Sequence, residues 1–200
     1  MEFIYILNLA GIVVFAISGA LTASDYKMDA FGSVVIAFIT ALGGGTIRDL
    51  LLDYHPIGWV ADPNYLYAVL VAVALSYLFK RWIASLRRTM FLFDTIGIGL
   101  FAVLGTEKTL GLDMHMIIAI MMGVVSAVFG GVLRDVLIGR VPLIFRKEIY
   151  ATACLAGVVL YVVLLQFNIP SYLTLIIPIL MIMVIRLLAV KYEWSLPGIK

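Results

Sequence analysis

Cysteine occurs once in these 200 residues, at Cys154. That excludes an intrachain disulfide and most cysteine-based metal sites, and a lone thiol in an apolar stretch reads as buried and inert. Histidine is nearly as scarce: His55 and His115 have no metal-ligand spacing and read as loop residues. Charge is sparse too, at 13% against 64% hydrophobic residues and a mean hydropathy of +1.14, which excludes a soluble domain. No polar stretch is long enough to form a separate catalytic domain, so neither enzymatic activity nor a resident metal or cofactor is expected. The ten-residue alternation of barrel strands is absent, and Met1-Glu2-Phe3 offers no basic n-region, so no cleavable signal peptide is expected.

What is present is apolar sequence in lengths that match a bilayer. A helix needs roughly 20 apolar residues to cross the hydrocarbon core. Seven stretches qualify: Phe3 to Thr22, Ala30 to Leu52, Pro63 to Phe79, Thr89 to Thr106, Met114 to Leu137, Ile149 to Phe167 and Tyr172 to Val190. Lys27, Lys80, Arg81, Arg87, Arg88, Arg140, Arg146, Lys147, Arg186, Lys191 and Lys200 fall in the first, third and fifth connections and the tail, against Lys108 alone on the other side. Basic residues are retained on the cytoplasmic side, so the N-terminus is expected outside and the C-terminus inside. Trp59, Trp82, Trp194, Tyr54, Tyr65, Tyr67 and Tyr192 lie near span ends and read as interfacial anchors.

Against this background two segments stand out, Gly43-Gly44-Gly45-Thr46-Ile47-Arg48-Asp49 and Phe129-Gly130-Gly131-Val132-Leu133-Arg134-Asp135. Each carries Gly-Gly-x-x-Arg-Asp inside an apolar run. Arg and Asp are costly in lipid and tandem glycines weaken a helix, so the pattern points to a site. The two copies lie 86 residues apart, and the same shift superposes Gly11, Phe15 and Gly19 on Gly97, Phe101 and Gly105 without a gap. The chain therefore reads as a duplication: residues 1–86 form repeat one with helices one to three, 87–170 form repeat two with helices four to six, and 171–200 add helix seven and a tail. Three crossings per unit invert the second copy. The expected fold is an all-α integral membrane protein of seven transmembrane helices in two inverted three-helix repeats plus a seventh, with a pathway near the midplane.

At about 1.5 Å per residue, Gly44 lies roughly 21 Å along a helix entering at Ala30, which puts Arg48 and Asp49 near the outer face and Arg134 and Asp135 near the inner one. Neighbours in a helix point about 100° apart, so Arg48 and Asp49 are not expected to neutralise each other. Asp94 is at the depth of Arg134 and is paired with it here. The position 86 residues before Asp94 is Asn8, which offers Arg48 only an amide. The two ends are thus expected to differ, with Arg134 clamped and Arg48 short of an anion. The glycine pairs Gly44-Gly45 and Gly130-Gly131 either pack helices closely or break helices two and five so that backbone lines a cavity. Ser18, Thr22, Thr40, Thr46, Thr106 and Ser126 can add hydroxyls to that cavity or bond their own backbone. Pro178 is expected to kink helix seven, which reads as peripheral.

Two inverted three-helix units, each with Gly-Gly-x-x-Arg-Asp late in its second helix, followed by a seventh helix, resemble the prokaryotic branch of the trimeric intracellular cation channels over the whole chain. The resemblance implies a homotrimer in the prokaryotic inner membrane. Each protomer would hold its own pore between the repeats, lined by glycine-broken helices two and five and passing monovalent cations, principally K⁺, with Na⁺ the next candidate. It assigns that pore to Gly44, Gly45, Arg48, Asp49, Gly130, Gly131, Arg134 and Asp135, with Asn8, Asp94, Ser18, Thr46 and Ser126 as polar partners. The partners implied are the lipid bilayer and permeant cations, not nucleic acid. Animal members bind phosphoinositide through a Lys-Glu-Gly motif where this chain reads Asp53-Tyr54-His55-Pro56-Ile57-Gly58, so lipid control of that kind is not expected. Relatives carry the label of glycine transporters, and an arginine in the pathway would suit a carboxylate. A secondary transporter of glycine or another small zwitterion is the alternative.

Overall fold

The computed structural model describes residues 2–78, 89–146 and 149–195. Lys80, Arg81, Trp82, Arg87, Arg88, Lys147 and Lys200, on which part of the orientation argument rests, lie outside the described residues. The described residues form seven longer helices: α1 (Glu2–Asp25), α2 (Ala30–Leu51), α3 (Asn64–Leu78), α4 (Thr89–Leu110), α5 (Met116–Leu137), α6 (Ala151–Leu164) and α7 (Ser171–Lys191). A one-turn helix at Gly58–Ala61 and a 3₁₀ turn at Leu143–Phe145 follow α2 and α5. Five of these helices, α1, α2, α4, α5 and α7, are long and apolar enough to cross a membrane. The helices α3 and α6 are shorter than the stretches expected from sequence; α6 gives way to a turn at 165–167, and Phe79 lies outside the described residues. Conversely α4 runs past Thr106 to Leu110 and so carries Lys108.

Helices α1, α2, α4 and α5 pack against one another at the centre, with α3 against α1 and α2, and α6 and α7 against α4. Residues related by the 86-residue shift meet each other there. The rings of Phe15 and Phe101 sit 5.3 Å apart, and Gly44 of α2 lies against Gly130 of α5. A methyl group on Gly44 would collide with the Ser126 carbonyl oxygen, and one on Gly130 with that of Thr40. These two glycines let the backbones of α2 and α5 touch, as small residues do in membrane helix pairs. Both helices run unbroken through their glycines. The expected helix breaks are therefore replaced by close packing, because the amide and carbonyl groups remain in the helical ladder. The helix α7 likewise continues through Pro178.

The ends of α2 and α5 show why the motif stops where it does. After α2, Asp53 takes a left-handed φ of 52°, its amide bonds Leu50 O at 3.2 Å and the Tyr54 amide bonds Asp49 O at 2.8 Å. After α5, Gly139 takes a φ of 70°, with its amide on Val136 O at 3.0 Å and the Arg140 amide on Asp135 O at 2.8 Å. Both are helix caps that satisfy the last carbonyls and turn the chain back. At the other end Asp29 accepts from the Gly32 amide at 2.7 Å, and His115, read as a loop residue, accepts from Ile117 at 3.3 Å to cap α5.

The crossing makes a direct prediction. Gly44→Ala should destabilise by about 1–3 kcal/mol through overpacking against backbone. Gly45→Ala, whose added carbon meets nothing nearer than Arg48 Nη2 at 3.7 Å, should change little. Thermal unfolding of the purified variants in detergent checks this, and equal losses would refute the packing role.

Candidate functional site

In each motif the arginine and its neighbouring aspartate form an ion pair, contrary to expectation. Arg48 donates from Nε and Nη2 to Asp49 Oδ1 at 2.9 and 2.7 Å, and Arg134 Nε donates to Asp135 Oδ1 at 2.9 Å. The 100° offset is bridged by the length of the arginine side chain, which curls back over its shorter neighbour. The second carboxylate oxygen accepts a main-chain amide from the turn after each helix, Gly58 N on Asp49 at 3.1 Å and Leu143 N on Asp135 at 3.3 Å. The turns thus fix the carboxylates, and the carboxylates fix the guanidiniums.

Beyond this shared unit the two ends diverge. Arg134 Nη1 meets Asp94 Oδ1 at 3.2 Å, as expected, and also Ser18 at 3.2 Å. Arg186, counted from sequence among the loop and tail cations, is instead fully buried within α7, its Nη2 3.6 Å from Asp94 Oδ2 and its guanidinium over the rings of Phe91 and Tyr150. Helix α7 is therefore no peripheral addition: it delivers a cation to the centre of the second half. Arg134 and Arg186 balance Asp94 and Asp135, and Tyr150 fills the space beside them, its hydroxyl 3.1 Å from where a side chain on Gly131 would begin.

At the Arg48 end, Lys108 Nζ donates to both oxygens of Asp49, at 2.9 and 3.1 Å, and lies 4.1 Å from the centre of the Tyr54 ring. Arg48 Nη1 reaches Ser126 Oγ at 3.3 Å. Arg48 is thus not without an anion, which corrects the sequence reading. Arg48 and Lys108 nevertheless share the single carboxylate of Asp49, so this cluster holds one positive charge in excess. Instead of a filling tyrosine there is a cavity of about 50 Å³, lined among others by Asn8, Gly45, Thr46, Trp59, Tyr65 and Ser126, large enough for a few waters. Trp59, read as an interfacial anchor, is half-buried: its Nε1 donates to Thr46 Oγ1 at 3.1 Å and its ring meets Phe38 edge-on. Asn8 lines the cavity with Arg48, and no bond between them occurs among the described residues.

The hydroxyls divide. Thr22, Thr40 and Thr106 donate to carbonyls one turn back, and Ser126 and Thr46 do so too while also accepting from Arg48 and Trp59. Cys154 is buried, as expected. Among the described residues no group of His, Cys, Asp or Glu side chains converges as a metal site. Sequence reasoning missed Lys108, Arg186, Tyr150, Trp59 and Tyr65. A charge inside an apolar span marked Arg186, and a lone lysine between two apolar spans marked Lys108.

The architecture and motif geometry can now be set beside known proteins. The trimeric intracellular cation channel orthologue of Rhodobacter sphaeroides superposes with a TM-score of 0.91 at 38% identity, covering 96% of this chain and all of that one. The chain belongs to the prokaryotic branch of the trimeric intracellular cation channel family. The family model described as glycine transporter matches residues 5–81 and 91–166, two segments whose starts differ by the 86 residues of the repeat. Among curated relatives, a membrane protein of Vibrio cholerae is 39% identical over 97% of this chain and 82% of its own length. The inner membrane protein YadS of Escherichia coli is 38% identical over 97% and 95%. Family membership thus extends over both motifs and both turns that hold the aspartates.

The unequal ends predict unequal variants. Asp94→Asn leaves Arg134 and Arg186 with one carboxylate between them and should cost about 3–5 kcal/mol, the range for breaking a buried pair. Asn8→Ala should cost under about 1 kcal/mol, as a half-buried amide without a charged partner. Yield and melting temperature of the two purified variants decide, and equal losses would contradict the asymmetry.

Proposed function

We propose that this protein is a monovalent cation channel of the prokaryotic inner membrane, passing K⁺ passively through a pathway within each protomer of a homotrimer. The observation that carries this reading is the superposition on a solved cation channel at 38% identity over nearly the whole of both chains. In this reading residues 1–86 and 87–170 are inverted three-helix repeats, 171–200 add the seventh helix and tail, and the N-terminus lies outside with the C-terminus in the cytoplasm. The meeting of Phe15 with Phe101 and of Gly44 with Gly130 supports a pseudo-twofold axis through the protomer.

The pathway then runs along α2 and α5. Gly44 and Gly130 form its waist, Gly45 and Gly131 give room to the guanidiniums, and Arg48-Asp49 and Arg134-Asp135 stand at its outer and inner ends. With Arg134 and Asp94 each 1% exposed, the inner end is shut. Conduction requires the guanidinium to swing off its carboxylates, which would then face a passing cation, as charged rings do in cation pores. Ser18, Asp94 and Ser126 hold the arginines in the closed arrangement, Thr46 holds Trp59, and Asn8 lines the cavity beside them.

The cavity beside Arg48 favours a second reading. A pocket lined by a guanidinium and a carboxylate suits a small zwitterion, which agrees with the description glycine transporter. Planar-bilayer recording of the purified protein separates the two: unitary K⁺ currents support the channel, whereas saturable glycine uptake without unitary steps would overturn it. Within the channel reading, Lys108→Gln removes the excess positive charge from the outer end. It should raise K⁺ conductance about two- to threefold in 0.1 M salt and by little near 1 M, where the screening length falls from about 10 to 3 Å. Unchanged conductance at low salt would contradict this placement of Lys108.

A further inference from the structure

The 86-residue repeat allows the two charge clusters to be compared atom by atom. Beside Arg134, Nη1 faces the Asp94 carboxylate at 3.2 Å. Beside Arg48, the corresponding nitrogen faces Ser126 at 3.3 Å and the cavity that Asn8 lines. Where one end has a carboxylate the other has an amide and about 50 Å³ of empty space. The charges tell the same story. The Arg134 cluster is neutral, while the Arg48 cluster holds two cations on one carboxylate, since Lys108 joins Arg48 on Asp49. The cavity is lined by the Arg48 guanidinium, the Asp49 carboxylate, the Asn8 amide, hydroxyls and the Trp59 and Tyr65 rings, and Asp49 is already engaged by Lys108 from outside the lining, which leaves Arg48 Nη1 able to take an anion of matching size.

We infer that this cavity binds a small monocarboxylate, whose carboxylate takes beside Arg48 the place that Asp94 holds beside Arg134. The anion's oxygens would accept from Arg48 Nη1 and the Asn8 amide, a charge-assisted contact of the kind guanidinium groups form best. The remaining one or two carbons would lie against Trp59 and Tyr65. Lys108, with its side chain 28% exposed and its Nζ on Asp49, adds a long-range attraction from outside the lining. Bound there, the carboxylate cancels the excess charge at that end of the molecule. The site requires neither K⁺ conduction nor solute transport.

The test uses the full chain in detergent, with thermal unfolding followed at constant ionic strength as potassium acetate replaces potassium gluconate, whose six-carbon chain exceeds the cavity. A saturable rise in melting temperature with acetate is expected, and glycine, which carries the same carboxylate, should compete with it. Asn8→Asp supplies the missing carboxylate from the protein itself and should weaken the acetate response at least about tenfold, as a like charge in a binding site does. Should that variant not fold, Lys108→Gln removes the excess charge and should weaken the response likewise. Equal shifts with acetate and gluconate, or an undiminished response in the variant, would overturn the site; so would binding of glycine without acetate, which signals a zwitterion pocket. Electrically silent bilayers would count against the channel and leave this result untouched.

Discussion

A guanidinium withdrawn from water must have a carboxylate within reach, and in this protein that requirement falls at two places 86 residues apart. At each, the arginine takes its own sequence neighbour as partner, and a main-chain amide from the following turn holds that neighbour in place. The rest of the structure follows from satisfying this pair of clusters. The helix caps after α2 and α5 return the chain so that the amides reach the aspartates. The glycine crossing brings α2 against α5 so that Ser126 reaches Arg48 from the opposite helix. Helix α7 inserts Arg186 against Asp94, which a single arginine would leave over-supplied with negative charge.

The 86-residue correspondence supplies the frame, and three positions differ between its two halves. Asp94 against Asn8 decides whether a second carboxylate is present. Tyr150 against Asn64 decides whether the space is filled, since Asn64 sits at the surface on Tyr5 while Tyr150 is buried. Lys108 against Thr22 decides which end carries extra charge, Thr22 bonding Ser18 O of its own helix and Met90 Sδ of α4. One end is therefore a filled, neutral, four-charge clamp, and the other a cavity beside two cations that share one carboxylate.

Much of this was legible in the residues. The apolar spans, the 86-residue repeat and the Asp94–Arg134 pair follow from spacing, depth and charge, because a buried charge in a membrane must find a partner and few are on offer. Other features were not. Periodicity treats Arg48 and Asp49 as diverging vectors and ignores the reach of the long, flexible arginine side chain, so their pairing was missed. Tandem glycines can loosen a helix or let two helices touch, and only the approach of Ser126 and Thr40 to Gly44 and Gly130 decides for packing. Arg186 and Lys108 lie close enough to span ends to pass for loop cations, and tertiary contacts with α4 and α2 reveal them as members of the clusters.

The difference between an open cavity at the Arg48 end and a filled Arg134 end can be read from thiol chemistry, because the native Cys154 is buried and provides a silent background. Ser126 and Ser18 are the hydroxyls that accept from Arg48 Nη1 and Arg134 Nη1, and either accepts a near-isosteric replacement. Methyl methanethiosulfonate is small and crosses bilayers, so it meets both ends of the protein alike. Mass spectrometry should show rapid modification of Ser126→Cys and none of Ser18→Cys over the same interval; equal rates at the two positions would contradict the account.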